Sequence, residues 1–359
     1  MKRSQTILWV ATLAGLVLAG AWQSRRLARY RRDHLPEAFT GAASEVPPAL
    51  TFVMAGLGGF RGVVAEVLWF RAHRLQEAGR YLELVQLADW LTMLDPHASE
   101  AWVYNAWNLA YNVSVMMARP EDRLRWVQNG IALLRDEGLR FNPREARLYR
   151  ELAWFYQNKV GDALDTAHLA YKFHLAGQLA PCVNADGTLR DTPESRTRLA
   201  GLRLDADRMA ALERRFGPLD WRLAHSHAIY WAIQGLEHAT GHERLMCRRA
   251  VYQPLLLSVF TGRFSGDLAA QSWQTAPNPA LALPAADFLA ETYREFPSAN
   301  MRTVALRFLT RATRELHRAG HTATARQLFE RLLALLPAAA RPPLFEDVIK
   351  GSENDHAPL

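Results

Sequence analysis

The chain has 359 residues, of which 49% are apolar and 22% are charged, a length and composition typical of one or two globular domains. This balance excludes a disordered chain and a fibrous repeat. Its two cysteines, Cys182 and Cys247, form at most one disulfide, so a disulfide-stabilised scaffold is excluded as well.

The net charge of +7 is concentrated at the N-terminus. Residues 1–35 contain seven basic residues and one acidic residue, whereas the rest of the chain contains 36 basic and 35 acidic residues. Nucleic-acid-binding domains carry a basic patch or stripe on the folded body, and this body is nearly neutral. We therefore expect no nucleic-acid partner.

The first element in chain order is an uncharged apolar run, Ile7–Trp22, preceded by Lys2 and Arg3. As a helix it spans roughly 24 Å, which crosses a bilayer if the membrane thins or the flanking residues snorkel. The run predicts a single transmembrane anchor in a bacterial inner membrane. A cleaved signal peptide is the alternative, because Ala19–Ala21 fits a small-residue cleavage site.

Five arginines follow this run and two basic residues precede it. The positive-inside rule therefore favours a cytoplasmic body, but the short N-terminal tail leaves a periplasmic body open. The next apolar stretch contains Gly56–Arg61, which lacks the third glycine of a dinucleotide-binding fingerprint. We interpret it as a turn before the first helix of the body.

Beyond residue 60, apolar residues recur at three- and four-residue intervals, bounded by glycine, proline and Asp-Pro signals. Strand-type alternation is absent from the sequence, and so is an Asn-Gly turn between two alternating runs. The predicted fold class is all-α, with helices in pairs that are separated by short turns.

Spacings typical of a two-helix repeat recur at four places: Gly79–Pro96, Trp102–Leu109, Tyr149–Tyr156 and Gly320–Pro337. They resemble the tetratricopeptide-repeat (TPR) superfamily over roughly residues 63–175 and 300–337, and Trp221–Glu237 looks like a degenerate first helix. With its anchor, the chain is similar to uncharacterised bacterial membrane-anchored repeat proteins. The resemblance implies a solenoid of helical hairpins whose first helices line a concave groove for a protein or an extended peptide.

The same signals divide the chain into segments. In order, we predict a tail (1–6), the transmembrane anchor (7–22), a basic juxtamembrane linker and turn (23–60), TPR-like repeats (61–180), a surface loop (181–196), degenerate helical hairpins (197–262), a linker (263–286), a C-terminal TPR-like hairpin (287–337) and a tail (338–359).

Candidate partner-binding side chains lie on the first helices of the second and third repeats. Asn105, Asn108 and Asn112 share one helix face, and an aromatic stripe of Tyr104, Trp107 and Tyr111 runs beside it. Asparagine amides donate and accept hydrogen bonds and so can clamp a peptide backbone, while aromatic rings add buried area. The alternative is that the asparagines satisfy loop carbonyls and the rings pack between repeats. The residues predicted to contact the partner are Asn108, Asn112, Trp107, Trp154 and Asn158.

We predict no catalytic, cofactor or metal site. His225 and His227 are two residues apart and point to different sides of a helix, and no Cys-x2-Cys or His-Glu-x2-His motif is present. Cys247 lies beside two arginines, which leaves a reactive thiol or a buried one as alternatives. The predicted function is a non-catalytic, membrane-anchored scaffold. The alternatives are a structural subunit of a membrane complex and an enzyme with an unrecognised site.

Overall fold

The computed structural model describes residues 61–336 and 344–350, together with Gly15, Trp22, Arg25 and Arg26. Most of the described chain is helical, which confirms the all-α fold class. The predicted anchor lies almost wholly outside the described residues. Among the residues that are described, no helix has the length and apolar character needed to cross a bilayer.

The helices are numbered here in chain order. Their bounds are α1 Arg61–Glu77, α2 Tyr81–Leu94, α3 Ser99–Trp107, α4 Pro120–Ala132, α5 Ala146–Trp154, α6 His168–Leu179, α7 Pro193–Gly201, α8 Ala206–Phe216, α9 Ala224–His238, α10 Gly241–Thr261, α11 Ala282–Glu295, α12 Ala299–Arg318, α13 Thr322–Leu335 and α14 Phe345–Lys350.

Three of these helices continue without a break into π-helical turns. The turns lie at Asn108–Val113 after α3, Leu133–Gly138 after α4 and Phe155–Val160 after α5. Short α-helical turns, Ser114–Met116 and Leu139–Phe141, follow the first two of them. π-helical turns are rare and frequently lie at functional sites, and two of these three carry residues of the site described below.

The turn between α1 and α2 depends on Gly79, whose φ of +68° favours a residue without a side chain. The N–H groups of Gly79 and Arg80 donate to the carbonyls of Gln76 and Leu75 at 3.0 and 2.9 Å, which satisfies the end of α1. Pro96 lies between α2 and α3. Both turn signals in the sequence therefore coincide with helix ends.

Neighbouring helices pack in pairs: α1 with α2, α3 and its π turn with α4, α9 with α10, and α12 with α13. Helix α5 departs from this order, because it packs mainly against α9, and α6, α7 and α8 come between them in sequence. A small core cluster around Leu84 and Leu87 joins the first three helices, and a larger one extends through the rest.

The predicted surface loop at 181–196 contributes to the core. Cys182, Val183 and Leu189 are buried, and α7 already begins at Pro193. The chain fits there because Gly187, with φ of +86°, lies against Asp220, where a Cβ would come within 2.2 Å of the carboxylate. The sequence did not reveal this burial, because the few apolar residues of the segment are scattered among many polar ones.

Two more segments differ from expectation. The predicted linker, 263–286, contains a two-stranded antiparallel ribbon, β1 (Arg263–Phe264) and β2 (Thr275–Ala276). The predicted tail, 338–359, contains α14, whose Phe345 and Val348 are buried. The three-residue spacing of these two side chains places them on one face of a short helix, which packs on α12.

Candidate functional site

Helices α3 and α5, together with the π turns that follow them, are joined by three polar contacts, which we call the α3–α5 ladder. Its rungs follow residues spaced four or seven apart, so each set lies on one helix face. The rungs are Arg147 Nη1 to Glu100 Oε1 at 3.1 Å, Trp107 Nε1 to Glu151 Oε2 at 2.9 Å, and Tyr111 OH to Asn158 Oδ1 at 3.2 Å.

Helix α1 lies on the other side of α3. The Trp69 ring meets Tyr104 edge-on at a centroid distance of 5.2 Å, and the Tyr104 hydroxyl donates to Gln76 Oε1 at 2.8 Å. Together α1, α3 and α5 form a cleft of about 450 Å³, which we call the first-helix cleft. Its aromatic and charged lining consists of Trp69, Tyr104, Trp107, Glu100, Arg147 and Glu151.

The charged side chains around the first-helix cleft are ion-paired within the chain. Glu100 pairs with Arg147, and Glu151, which is only 7% exposed, lies 3.0 Å from Arg150 Nη1. Because a buried carboxylate is stable only when it is paired and hydrogen-bonded, Arg150 and the Trp107 indole together hold Glu151 in place. The cleft therefore offers aromatic surface beside charged groups that are paired within the chain.

An aromatic stack supports the floor of the cleft. The rings of Trp107 and Tyr111 stack at 4.2 Å, and Phe155 meets both of them edge-on. Burial raises the pKa of Tyr111, the nearby Glu151 carboxylate raises it further, and interaction with Trp154 offsets part of the shift. Tyr111 therefore stays protonated and remains a hydrogen-bond donor.

A buried ion pair lies beyond the last rung. Lys159 Nζ is 2.6 Å from Asp165 Oδ2, and both side chains are 5% exposed. Asp165 also accepts from Arg123 at 3.1 Å and from the Tyr171 hydroxyl at 3.0 Å. Burial alone would raise the pKa of Asp165, but hydrogen bonds from Lys159 and from the Ala167 backbone lower it to about 2. The cluster fixes the π turn of α5 against α6.

The predicted partner residues fall into two groups. Asn108 is 2% exposed and donates to the Tyr81 carbonyl at 3.2 Å, as Asn105 donates to Asp89 at 2.9 Å. This differs from the expectation that Asn108 faces an empty groove, because its helix face packs on α2. Half-buried Asn112 donates to Asn108 Oδ1 at 3.2 Å and so belongs to the same network.

The other three predicted residues lie along the α3–α5 ladder. Trp107 and Asn158 are half-buried and each forms a rung, whereas Trp154 is 37% exposed and follows Glu151 along α5. The structure thus brings Trp107, Trp154 and Asn158 together and separates Asn108 from them. Whether these residues contact a partner stays a prediction.

Several cleft residues were not among the predicted ones: Trp69, Glu100, Tyr104, Arg147 and Glu151. The signal for them was present as aromatic and charged residues at three- and four-residue spacing on successive first helices. What the sequence did not reveal is which stripe of α3 turns toward α5 and which toward α2.

A metal site and a reactive thiol find no supporting side chains among the described residues. Among the described residues, no group of three or more histidine, cysteine or carboxylate side chains is placed to hold a metal ion. Cys182 and Cys247 are both buried, and burial raises the pKa of the Cys247 thiol to about 12. Of the two alternatives for Cys247, the structure fits a buried thiol, because a reactive cysteine requires a lowered pKa.

No protein-family model, curated protein or solved structure matches this chain.

Proposed function

We propose that the chain is a non-catalytic, TPR-like helical-repeat scaffold that binds an extended segment of a partner protein in the first-helix cleft. Residues 7–22 would tether it to a bacterial inner membrane with the body in the cytoplasm. The observation that carries the proposal is the cleft itself, in which aromatic and paired polar side chains of α1, α3 and α5 meet.

The chemistry of the cleft favours a peptide over a charged small molecule. Aromatic rings such as Trp69, Tyr104 and Trp107 provide large contact area at little entropic cost, and they dominate the affinity of many protein interfaces. The polar groups beside them are already paired, so a ligand meets no uncompensated charge. A largely uncharged, extended segment fits this combination.

A structural subunit of a membrane complex is the second candidate, and a different surface favours it. Large apolar side chains on α1 and α2 are about half exposed or more: Val63, Val67, Phe70, Leu82, Trp90 and Met93. Exposed apolar patches of this kind often mark protein–protein or membrane contacts. The two candidates therefore place the partner on different surfaces of the molecule.

One pair of variants tests both. Trp154 lies on α5, one turn beyond the cleft residue Glu151, and Trp90 lies on α2. They are 37% and 49% exposed, so Trp154→Ala and Trp90→Ala are matched substitutions. The full-length chain would be captured from native membranes and the co-purified proteins quantified. The proposed function expects Trp154→Ala to lose a specific partner that Trp90→Ala retains. The reverse result would favour the subunit, and equal retention by both variants would contradict the cleft assignment.

A further inference from the structure

A second cavity, of about 360 Å³, lies between α10, α12 and the π turn of α5, and we call it the α10–α12 pocket. Tyr252, Leu256 and Met301 line it and are buried, whereas Arg249 and Asn300 line it and are exposed. Its volume lies within the range of about 300–1,000 Å³ that is typical of small-molecule sites, and most of its lining is apolar. None of its lining residues also lines the first-helix cleft.

Arg249 gives this pocket an uncompensated positive charge. Its neighbours on α10, Arg244 and Arg248, both pair with Glu295 on α11. In the part of the chain that the structure describes, Arg249 forms no ion pair, and no acidic residue lines the pocket. A guanidinium at the mouth of an apolar cavity attracts an anion, and its planar fork matches a carboxylate.

Tyr252 provides a second donor one turn further along α10. The residue is 6% exposed, and its hydroxyl has no hydrogen-bond partner among the described residues. Burial raises the pKa of Tyr252, and the positive charge of Arg249 lowers it in part. The two groups are therefore close enough to interact. The hydroxyl oxygen is not among the buried side-chain atoms that lack a partner, so it is open to the pocket, where an acceptor can bind it.

We propose that the α10–α12 pocket binds a small monocarboxylate with an apolar tail. The carboxylate accepts hydrogen bonds from the Arg249 guanidinium and the Tyr252 hydroxyl. The tail lies against Leu256, Met301 and Val304, which line the pocket. This site is separate from the first-helix cleft, so the proposal does not depend on the partner-binding function.

The test compares octanoate with octan-1-ol, which share a tail and differ in charge. Calorimetric titration of the full-length chain in phosphatidylcholine nanodiscs avoids detergent, which would compete for the pocket, and empty nanodiscs serve as the blank. Octanoate should bind at least about tenfold more tightly than octan-1-ol, because a hydrogen-bonded charge strengthens binding by that order. Octan-1-ol binding as tightly as octanoate would overturn the proposal.

Variants locate the site. Arg249→Gln should weaken octanoate by about tenfold or more and leave octan-1-ol unchanged, and Tyr252→Phe should weaken octanoate less. Arg307→Gln is the matched control, because Arg307 is exposed on α12 and does not line the pocket. All three variants should have the same melting temperature as the wild type. The assignment fails if Arg307→Gln weakens octanoate as much as Arg249→Gln does. It also fails if N-acetyl-leucyl-leucine binds more tightly than octanoate, since the ligand would then be a peptide C-terminus.

Discussion

The α3–α5 ladder and the α10–α12 pocket differ in whether their polar groups are paired within the chain. Along the ladder and the Lys159–Asp165 pair, the buried charges and donors are satisfied by other side chains of the same chain. In the pocket, Arg249 has no ion pair and Tyr252 no hydrogen-bond partner among the described residues. Internal pairing fixes the shape of a surface before any partner arrives, whereas unpaired groups leave interactions for a ligand to make. Polar substitutions should therefore cost stability in the first region and ligand affinity in the second.

The largest loss of stability is expected from Asp165→Ala. Removal of this carboxylate leaves Lys159 buried without its ion-pair partner, which costs about 3–5 kcal/mol of the free energy of unfolding. Asp162→Ala is the matched control, because Asp162 is exposed three residues earlier. Denaturant unfolding of the two variants measures the difference. Equal stabilities would show that the buried pair contributes nothing.

The same carboxylate predicts a dependence on pH. Its pKa falls from an ordinary value near 3.8 to about 2 in the folded chain. A group whose folded pKa is lowered stabilises the protein above its unfolded pKa, and the effect is lost as pH falls through the folded pKa. A shift of this size corresponds to about 2–3 kcal/mol.

Asp165→Asn isolates this contribution from the other carboxylates. The stability difference between wild type and Asp165→Asn should be full at pH 6, shrink below about pH 4 and be small near pH 2. Urea unfolding across this range measures it. A difference that stays constant with pH would mean that the charge of Asp165 is not what stabilises the cluster.

A smaller effect separates two asparagines on the same helix face. Asn108→Ala leaves the Tyr81 carbonyl without this donor in the interior, so it should cost about 1–3 kcal/mol. Asn112→Ala should cost less, because Asn112 is only half-buried and its bond is to the Asn108 side chain. Melting temperatures of the two single variants decide the order. The groove interpretation of Asn108 predicts nearly unchanged stability for both.

The helical fold class and the turns at Gly79 and Pro96 could be predicted, because glycine and proline act locally on the backbone. The packing of α5 on α9 could not, since it joins residues separated by three intervening helices. The aromatic stripe of α3 was visible in sequence, yet its direction depends on which neighbour each face meets. The asparagine stripe has the same spacing, and it turned out to face α2. Arg249 gave no signal in sequence, because its lack of an ion pair is a property of the folded chain.

Site-specific photocrosslinking tests the proposed function most directly. A benzoylphenylalanine would replace Tyr104 in the first-helix cleft or Trp154, one turn beyond the cleft residue Glu151 on α5. Arg125 on α4, whose side chain is 74% exposed, is the control position. In cells that express the full-length chain, the account predicts one and the same protein crosslinked from positions 154 and 104 and absent at 125. Crosslinks confined to position 125, or none from position 104 or 154, would contradict the assignment of the cleft as the partner-binding surface.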